Sequence, residues 1–204
     1  MNEMVYVVDD DEAVRDSLRW LLEGNGFRVT CFDSADRVLE QLTSGGASQR
    51  ACLILDVRMP GMTGIELHEE LLRRGIVLPV VFITGHGNVP MAVDTMKKGA
   101  MDFLEKPFSD EQLCALVAKA FEQLKGDMEK TEDAKRSKVL LDRLTPREAQ
   151  VLERIVAGRL NKQIADDLHI SIKTVEAHRA NIMDKIEART MADLMKIALN
   201  AAAA

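Results

Sequence analysis

The sequence predicts an α/β domain with a doubly wound parallel sheet, followed by a small domain built only from helices. Three observations support this prediction. Short apolar runs alternate with amphipathic stretches up to about residue 124, charged residues of both signs dominate residues 125–138, and four helix-like segments follow. At 204 residues the chain is long enough for two small domains, because single cores usually span about 100 to 200 residues.

Five strand-like runs define the first domain, residues 1–124. Each run is short and apolar, and each is followed by a helix-like segment, a pattern typical of a parallel sheet. Five such units fit a flavodoxin-like fold, in which ligands bind beyond the carboxyl ends of the strands. The predicted strands are 5–8, 27–31, 52–55, 80–83 and 101–104, and the predicted helices begin near Glu12, Ser34, Gly64, Asn88 and Ser109.

The second domain is predicted to occupy residues 139–204. Residues 125–138 before it read KGDMEKTEDAKRSK and have few apolar anchors, so they form either a linker or a frayed helical extension. In the segment LTPRE, Thr145 is suited to cap a helix, Pro146 to begin it and Glu148 to complete a capping box. Four short helices are predicted, at about 146–157, 161–168, 172–186 and 191–201.

Composition and charge narrow the class of protein. The chain is 47% hydrophobic and 29% charged, as in an ordinary globular protein, and no apolar run approaches the roughly 20 residues that span a bilayer. We therefore expect a cytoplasmic protein without a membrane partner. Residues 1–124 hold 20 acidic and 12 basic side chains, whereas residues 139–204 hold 9 and 10, so a polyanion is expected to bind the second domain.

Carboxylates follow two of the predicted strands. Asp9, Asp10 and Asp11 follow the first strand, and Asp56 follows the third. The carboxyl ends of parallel strands meet at one edge of the sheet, where neighbouring carboxylates repel each other unless a cation joins them. Oxygen ligands with room for water suit Mg²⁺. Each aspartate can instead cap the following helix, so a metal site and helix caps are both possible readings.

A hydroxyl and an ammonium follow two further strands. The fourth strand ends at Thr84 in FITGHG, and the fifth is followed by Lys106 in DFLEKPF. At the same edge as the carboxylates, a lysine and a cation can neutralise phosphoryl oxygens while a threonine donates a hydrogen bond. Taken singly, either residue can be a solvated loop residue. Together with the carboxylates they predict a site for a phosphoryl group.

Four segments of the first domain resemble the signature segments of bacterial two-component receiver domains. They are VVDDDE, LILDVRMPGMTG, FITGHG and DFLEKPF, and the resemblance covers residues 4–124. It implies that a sensor histidine kinase phosphorylates Asp56. It also implies a divalent cation, Mg²⁺ or another, with Asp56 among its ligands. Asp10 would bind that cation directly, Asp9 through water and Arg58 through its main-chain carbonyl.

The same resemblance implies a switch. Thr84 and Lys106 would contact the phosphoryl oxygens, and Phe103 would change rotamer when Thr84 moves. The loop 85–88 would reorder and change the surface of the fourth helix, fifth strand and fifth helix, which commonly forms a homodimer in this family. Arg58 and His86 flank the path of water to the acyl phosphate, so they either set its lifetime or are exposed loop residues.

The third helix is predicted to face the core with its leucines. Leu67, Leu71 and Leu72 have helical spacing and are expected to be buried, whereas His68 is expected to lie on the opposite, solvated face.

A helix, a turn and a second helix are predicted in residues 161–186. Ile164, Leu168 and Val175 belong to the predicted inner face, with Ile170, Ile182 and Ile186. The second helix carries polar and small residues on its outer face, which fits the major groove of DNA. A helical hairpin that binds protein is the alternative. The predicted outer residues are Lys173, Thr174, Glu176, Ala177, Ala180 and Asn181.

The segments LTPREAQVLERIVAG, NKQIA and KTVEAHRANIMDKI resemble the LuxR-type helix-turn-helix domain across residues 139–200. With the receiver, the chain resembles the NarL/FixJ class of transcription regulators, and TGHGNVPMAV with MDFLEKPF leans towards its FixJ-like members. The resemblance implies promoter DNA and RNA polymerase as partners. Glu176, Ala177 and Ala180 would then face base edges, and the predicted phosphate contacts or helix supports are Lys173, Thr174, Arg179 and Lys185.

The last helix offers a further contact surface. Leu194, Ile197 and Ala198 either form a dimer contact on DNA or pack within their own domain.

The predicted function is a DNA-binding response regulator, activated by phosphorylation of Asp56, that dimerises and binds promoters. It would not be an enzyme beyond its own phosphotransfer and acyl-phosphate hydrolysis. One rival is an aspartyl-nucleophile phosphatase of the haloacid dehalogenase type, which needs a second aspartate two residues after the first. Here Arg58 occupies that position. The other rival is an interaction protein whose second domain binds protein.

Overall fold

The computed structural model describes residues 3–44, 50–85, 87 and 89–202. The chain divides into two compact units, Met1–Lys125 and Gly126–Ala204. The first unit contains a parallel five-stranded sheet in the order β2-β1-β3-β4-β5, as in a doubly wound flavodoxin-like fold. Its strands are β1 (Met4–Val8), β2 (Arg28–Phe32), β3 (Ala51–Asp56), β4 (Val80–Thr84) and β5 (Asp102–Glu105).

The helices of this unit begin at or one residue after the predicted positions. Residues 125–138, for which the sequence left a linker or a helical extension open, belong to a helix that contributes residues to both units. The helices are α1 (Glu12–Gly24), α2 (Ala35–Ser44), α3 (Gly64–Arg73), α4 (Val89–Lys97) and α5 (Asp110–Leu141).

Central strand β3 is buried along its whole length, which explains its unbroken apolar sequence. Successive side chains point to opposite faces of a sheet. Accordingly, Leu53 and Leu55 pack with side chains of α2 and α3, whereas Cys52 and Ile54 pack with side chains of α1 and α5. Helices on both faces therefore fix β3 firmly, and with it the carboxylate of Asp56 at its end.

The predicted face of α3 is partly wrong. Leu67 and Leu71 are buried as expected, but Leu72 is 39% exposed and His68 is only 3% exposed. The buried stripe follows helical spacing through residues 64, 67, 68 and 71, so His68 lies inside it and Leu72 flanks it. The His68 ring packs edge-on against Phe82 at a centroid distance of 5.6 Å. Within the described residues, its Nδ1 atom has no hydrogen-bond partner.

Burial of His68 predicts a pH-dependent stability of the first unit. Burial lowers the pKa of His68 below its ordinary value; Glu69 opposes this effect and Lys98 adds to it. Below the ordinary pKa of about 6.5, the unfolded chain binds a proton that the folded chain does not. The stability contribution is therefore present above that pH and is lost as the pH falls below it.

We expect the unfolding free energy of the first unit to fall between pH 7.5 and pH 5.5, and His68→Leu to reduce this fall. Urea unfolding followed by fluorescence of Trp20, the single tryptophan, measures it. His178→Gln in the second unit is the control and should retain the full pH dependence. If the unfolding free energy falls equally in the wild type and in His68→Leu, His68 is not the source of the pH dependence.

Up to residue 202, where the description of the second unit ends, four helices follow α5. Its first helix begins as predicted: the Glu148 N–H donates to Thr145 Oγ1 at 3.3 Å, and the Thr145 N–H donates to Glu148 Oε2 at 2.8 Å. Leu194 is fully buried in the core of this unit, so it packs within its own domain. The helices are α6 (Pro146–Val156), α7 (Asn161–Leu168), α8 (Ile172–Lys185) and α9 (Met191–Ala202).

The inner face predicted for α7 and α8 forms the core of this unit. Ile164, Val175, Ile182 and Ile186 are fully buried, and Leu168 is nearly so, whereas Ile170 in the turn between the helices is half-buried. None of the helices in the described part of the chain has the length and hydrophobicity needed to span a bilayer.

Candidate functional site

Three charged side chains meet at the carboxyl edge of the sheet. The ammonium of Lys106, which follows β5, donates to Asp9 Oδ2 at 2.7 Å and to Asp56 Oδ1 at 2.8 Å. Strands β1 and β3 are neighbours, so Asp9 and Asp56 leave the sheet side by side. Strand β5 lies two strands from β3, and a long side chain is needed to bridge that distance. The structure therefore brings these three predicted site residues together.

Both carboxylates at this edge are removed from water. Asp9 is 1% exposed and Asp56 is 6% exposed. Each also accepts a main-chain hydrogen bond: Asp9 Oδ1 from the Asp11 N–H at 2.9 Å, and Asp56 Oδ2 from the Arg58 N–H at 2.7 Å. These bonds fix the direction of each carboxylate in the absence of solvent.

Two buried carboxylates face one ammonium at this edge, so negative charge is in excess. Burial raises the pKa of Asp9 above its ordinary value, because hydrogen bonds from Lys106 and the Asp11 N–H offset only part of the lost hydration. Burial lowers the pKa of Lys106, but its hydrogen bonds to Asp56 and Asp9 outweigh burial and leave that pKa raised. A second cation at this edge would relieve the uncompensated charge.

The other two aspartates after β1 differ in role. Asp11 caps α1, since its carboxylate accepts the Ala13 N–H at 2.8 Å. The helix-cap reading is therefore right for Asp11. Asp10 is exposed at the edge of the sheet, beside the buried Asp9.

The donor set fits Mg²⁺. In residues 3–44, 50–85, 87 and 89–202, no group of three or more His, Cys, Asp or Glu side chains forms a metal-binding cluster. Mg²⁺, however, usually takes one or two carboxylates, keeps several waters and adds phosphate oxygens of the substrate. This edge meets the requirement. It offers the adjacent carboxylates of Asp9 and Asp56, with Asp10 nearby, and the loop after β3 faces solvent.

Thr84 and Phe103 lie on the neighbouring strands β4 and β5, two positions apart in register. Thr84 is buried at the end of β4, and Phe103 on β5 is half-buried. Gly87 leaves no room for a side chain beside them, because an added Cβ atom would lie 2.9 Å from Phe103 Cε1 and 3.3 Å from Thr84 Cγ2. His86 and Asn88 lie outside the described residues, so the role predicted for His86 and the predicted reordering of the loop 85–88 are not addressed by the structure.

Gly64 is a site residue that the sequence did not single out. It begins α3, and a Cβ atom there would lie 2.2 Å from the main-chain oxygen of Asp56 and 2.9 Å from Leu55 Cγ. The Gly64 N–H also donates to the carbonyl of Val57 at 3.1 Å. The start of α3 therefore packs directly against the main chain that carries Asp56.

Helix α8 of the second unit presents the predicted outer face to solvent. Ser171 caps this helix: its Oγ accepts the Thr174 N–H at 3.0 Å and lies 2.8 Å from Thr174 Oγ1. Thr174 thus supports the start of the helix. All six residues of the predicted outer face are exposed: Lys173, Thr174, Glu176, Ala177, Ala180 and Asn181.

Lys185 supports the helix-turn-helix from its other end. Its ammonium donates to Glu148 Oε2 at 2.7 Å. Lys185, together with the main-chain N–H of Thr145, lowers the pKa of Glu148 to about 2. An ionised Glu148 with only 3% exposure therefore joins α8 to the start of α6.

An α/β domain with two buried carboxylates bridged by a lysine, in one chain with a helix-turn-helix, defines the class of DNA-binding signalling regulators. Two family models match: the response regulator receiver domain over residues 5–118, and the luxR family of bacterial regulatory proteins over residues 142–198. The chain therefore belongs to the response regulators of two-component systems that carry a LuxR-type DNA-binding domain. It is a DNA-binding transcription regulator, as the sequence predicted.

Relatives match nearly the whole chain. It is 44% identical to the transcriptional regulatory protein FixJ of Bradyrhizobium diazoefficiens over 97% of this chain and 95% of the relative. It is 46% identical to FixJ of Azorhizobium caulinodans over 98% of this chain and 93% of that relative. Identity to the response regulator protein TmoT of Ectopseudomonas mendocina is 41% over 95% and 87%. A receiver domain implies a sensor kinase as partner, and a LuxR-type domain implies DNA.

Two solved structures share both the fold and much of the sequence. The response regulator StyR has a TM-score of 0.77 and 41% identity, covering 98% of this chain and 99% of that chain. Full-length FixJ from B. japonicum has a TM-score of 0.62 and 42% identity, covering 100% and 99%. The predicted resemblance to FixJ-like members of the class is confirmed.

Proposed function

We propose that this regulator is activated when a histidine kinase transfers a phosphoryl group to Asp56. The observation that carries the proposal is the placement of Lys106 Nζ between Asp9 and Asp56, at 2.7 Å and 2.8 Å. A carboxylate oxygen of Asp56 attacks phosphorus, the bond from phosphorus to the histidine nitrogen breaks, and an acyl phosphate forms. Lys106 then neutralises phosphoryl oxygens and the hydroxyl of Thr84 donates a hydrogen bond to one of them.

The acidic residues would hold the divalent cation that this chemistry requires, Mg²⁺ by preference. Asp10 and Asp56 would bind it directly, Asp9 through water, and Arg58 through its main-chain carbonyl. When bound, the cation neutralises charge on the phosphoryl oxygens. Asp9 already accepts hydrogen bonds from Lys106 and the Asp11 N–H, which favours contact through water over direct ligation.

Phosphorylation would act on the surface formed by α4, β5 and α5. The new group adds a charge of about −2, which draws Thr84 inward and frees space for the Phe103 ring. Helix α4 already exposes apolar side chains at helical spacing: Val89 is 77% exposed, Val93 46% and Met96 44%. Such a stripe is suited to self-association, and we propose that the phosphorylated chain forms a homodimer there.

On DNA, the exposed face of α8 would read promoter sequences in the major groove. Glu176 accepts a hydrogen bond from cytosine N4, and Ala177 and Ala180 contact thymine methyl groups. Lys173 and Arg179 contact phosphates, whereas Thr174 and Lys185 support the helix. Because neither glutamate nor alanine binds phosphate, one half-site binds weakly and dimerisation raises the affinity.

The regulator would recruit or contact RNA polymerase at the promoter and act in the cytoplasm, where kinase and DNA are both accessible. Its only enzymatic activity would be its own phosphotransfer and the hydrolysis of its acyl phosphate.

Selection of DNA fragments tests this function. Phosphorylated protein should retain specific genomic fragments at physiological salt, whereas unphosphorylated protein and Asp56→Asn should retain few. Glu176→Ala is the matched variant, and it should change which sequences are retained more than how strongly DNA is bound. Failure of phosphorylated protein to bind any DNA at low salt would contradict the proposal and favour a protein-binding second domain.

Arg58 is expected to protect the acyl phosphate. Its side chain is exposed and its main-chain N–H donates to Asp56 Oδ2 at 2.7 Å, so its bulk would shield the path of water. We expect Arg58→Ala to hydrolyse the acyl phosphate several-fold faster, measured as loss of radiolabelled phosphate. Arg73→Ala is the control, because Arg73 lies at the end of α3 that is distant from Asp56 and pairs with Glu70. Equal rates in wild type and Arg58→Ala would remove this role.

A further inference from the structure

The main-chain carbonyl of Asp9 is held by an arginine from the next helix. Arg15 lies in the second turn of α1, and its Nη1 donates to the Asp9 oxygen at 2.7 Å. On the other side of the residue, the Asp9 N–H donates to the carbonyl of Phe32 on β2 at 3.2 Å. The main chain of Asp9 is therefore fixed from two directions, by β2 and by α1.

This hydrogen bond restrains the peptide group that joins Asp9 to Asp10. The carbonyl of Asp9 and the N–H of Asp10 belong to one planar peptide group. A hydrogen bond that holds the oxygen therefore also restrains the main-chain nitrogen of Asp10. Asp10 is exposed and therefore lacks the packing that orients Asp9. Hydrogen bonds from a charged donor are also stronger than neutral ones. The guanidinium is thus a charged restraint on this peptide from the helix side.

The next arginine on α1 makes no such contact. Arg19 lies four residues further along the helix, is exposed, and pairs with Asp16 at 3.1 Å. Arg15 and Arg19 carry the same charge on the same helix, but only Arg15 donates to the main chain of an acidic site residue. A comparison of Arg15 and Arg19 variants therefore distinguishes the effect of this hydrogen bond from the effect of positive charge on α1.

We propose that Arg15 is a positioning residue, which holds the Asp9–Asp10 peptide so that both carboxylates are presented to the divalent cation. This inference rests on the proposed role of Asp9 and Asp10 as cation ligands. Geometry and charge predict opposite effects here. Loss of a positive side chain beside an acidic edge would by charge alone tighten cation binding, whereas loss of positioning would weaken it.

Titration calorimetry of the full chain with MgCl₂ tests the inference. Arg15→Met should weaken Mg²⁺ binding about tenfold, the lower end of the range for residues that orient metal ligands. Arg15→Lys keeps the charge and one donor and should recover part of the loss. Arg19→Met should bind Mg²⁺ as the wild type does, or slightly more tightly. Binding by Arg15→Met that equals or exceeds that of the wild type would overturn the inference.

The Mg²⁺ dependence of phosphorylation by acetyl phosphate is a second measurement. In Arg15→Met the Mg²⁺ concentration for half-maximal rate should rise about tenfold, with the rate at saturating Mg²⁺ little changed. A fall in the saturated rate alone would overturn the inference. Urea unfolding in EDTA checks folding; if Arg15→Met is unfolded, Arg15→Lys decides, and Mg²⁺ binding by that variant equal to the wild type would overturn the inference.

Asp10→Asn separates this inference from the proposed function. If the wild type and Asp10→Asn bind Mg²⁺ equally, the proposed cation site is wrong, whatever Arg15 does. If Asp10→Asn binds more weakly but Arg15→Met does not, the cation site stands and only the role of Arg15 fails.

Discussion

Replacing Gly64 by alanine is expected to disable phosphorylation and destabilise the first unit. The added Cβ atom would lie 2.2 Å from the main-chain oxygen of Asp56 and 2.9 Å from Leu55 Cγ. Both neighbours belong to the fully buried strand β3, so neither can move without disturbing the sheet. Overpacking of this kind costs about 1–3 kcal/mol.

The chemical effect of Gly64→Ala should exceed its effect on stability. A shift of the Asp56 main chain moves the attacking oxygen away from Lys106 and Thr84, and a misplacement of about 1 Å can slow a reaction about 100-fold. Phosphorylation by acetyl phosphate measures the rate, and urea unfolding followed by Trp20 fluorescence measures stability.

Gly24→Ala is the matched control for this experiment. A Cβ atom at Gly24, at the end of α1, meets no atom within 4 Å. That variant should phosphorylate normally and be as stable as the wild type or slightly more so, because alanine restricts the unfolded chain. A Gly64→Ala variant with wild-type rate and stability would show that the start of α3 does not constrain Asp56.

Replacing Lys106 by methionine is the second change with a large expected effect. The substitution keeps most of the side-chain volume but removes the ammonium shared by Asp9 and Asp56. Breaking one partner of a buried ion pair costs about 3–5 kcal/mol, and because Lys106 is partly solvent-exposed we expect about 2 kcal/mol at pH 7.5. Phosphorylation should slow by about 100-fold, as when one donor to a developing charge is lost.

The loss of stability in Lys106→Met should depend on pH in a defined direction. Burial already raises the pKa of Asp9, and loss of the ammonium raises it further. An acid with a raised pKa in the folded state contributes stability that is present below its ordinary pKa and is lost as the pH rises through the folded value. The difference between wild type and variant should therefore shrink from pH 7.5 to pH 5.0 in metal-free buffer.

Lys98→Met provides the comparison for Lys106→Met. Lys98 also bridges two carboxylates, Glu69 and Asp94, but both are about half exposed. Its removal should change stability little at either pH and leave phosphorylation intact. A Lys106→Met variant that behaves like Lys98→Met would show that the buried bridge is unimportant.

Sequence patterns located the strands and the starts of the helices to within about one residue because each signal was local. The apolar run of β3 needed no partner to be recognised, and Thr145 with Glu148 marked the start of α6 by a local capping pattern. The face of α3 was predicted less well. In a ten-residue helix, His68 and Leu72 lie one turn apart on the same side of the leucine stripe, so helical spacing alone does not separate them. Packing of His68 against Phe82 accounts for its burial.

In the candidate site, too, some residues could be placed from the sequence and others could not. Residues that end strands could be placed at one edge from the order of strands alone, as for Asp9, Asp56 and Lys106. The contacts that support them could not, because they depend on how closely elements approach in space. Gly64 against the Asp56 carbonyl is of this kind, and so is the hydrogen bond from Arg15 to Asp9.

We propose that phosphorylation of Asp56 makes the chain a dimer. Light scattering tests it most directly, with the wild type and Asp56→Asn each measured with and without acetyl phosphate and Mg²⁺. We expect a monomer for both proteins without the donor, and a shift to dimer with the donor for the wild type alone. A shift to dimer that persists in Asp56→Asn would contradict it.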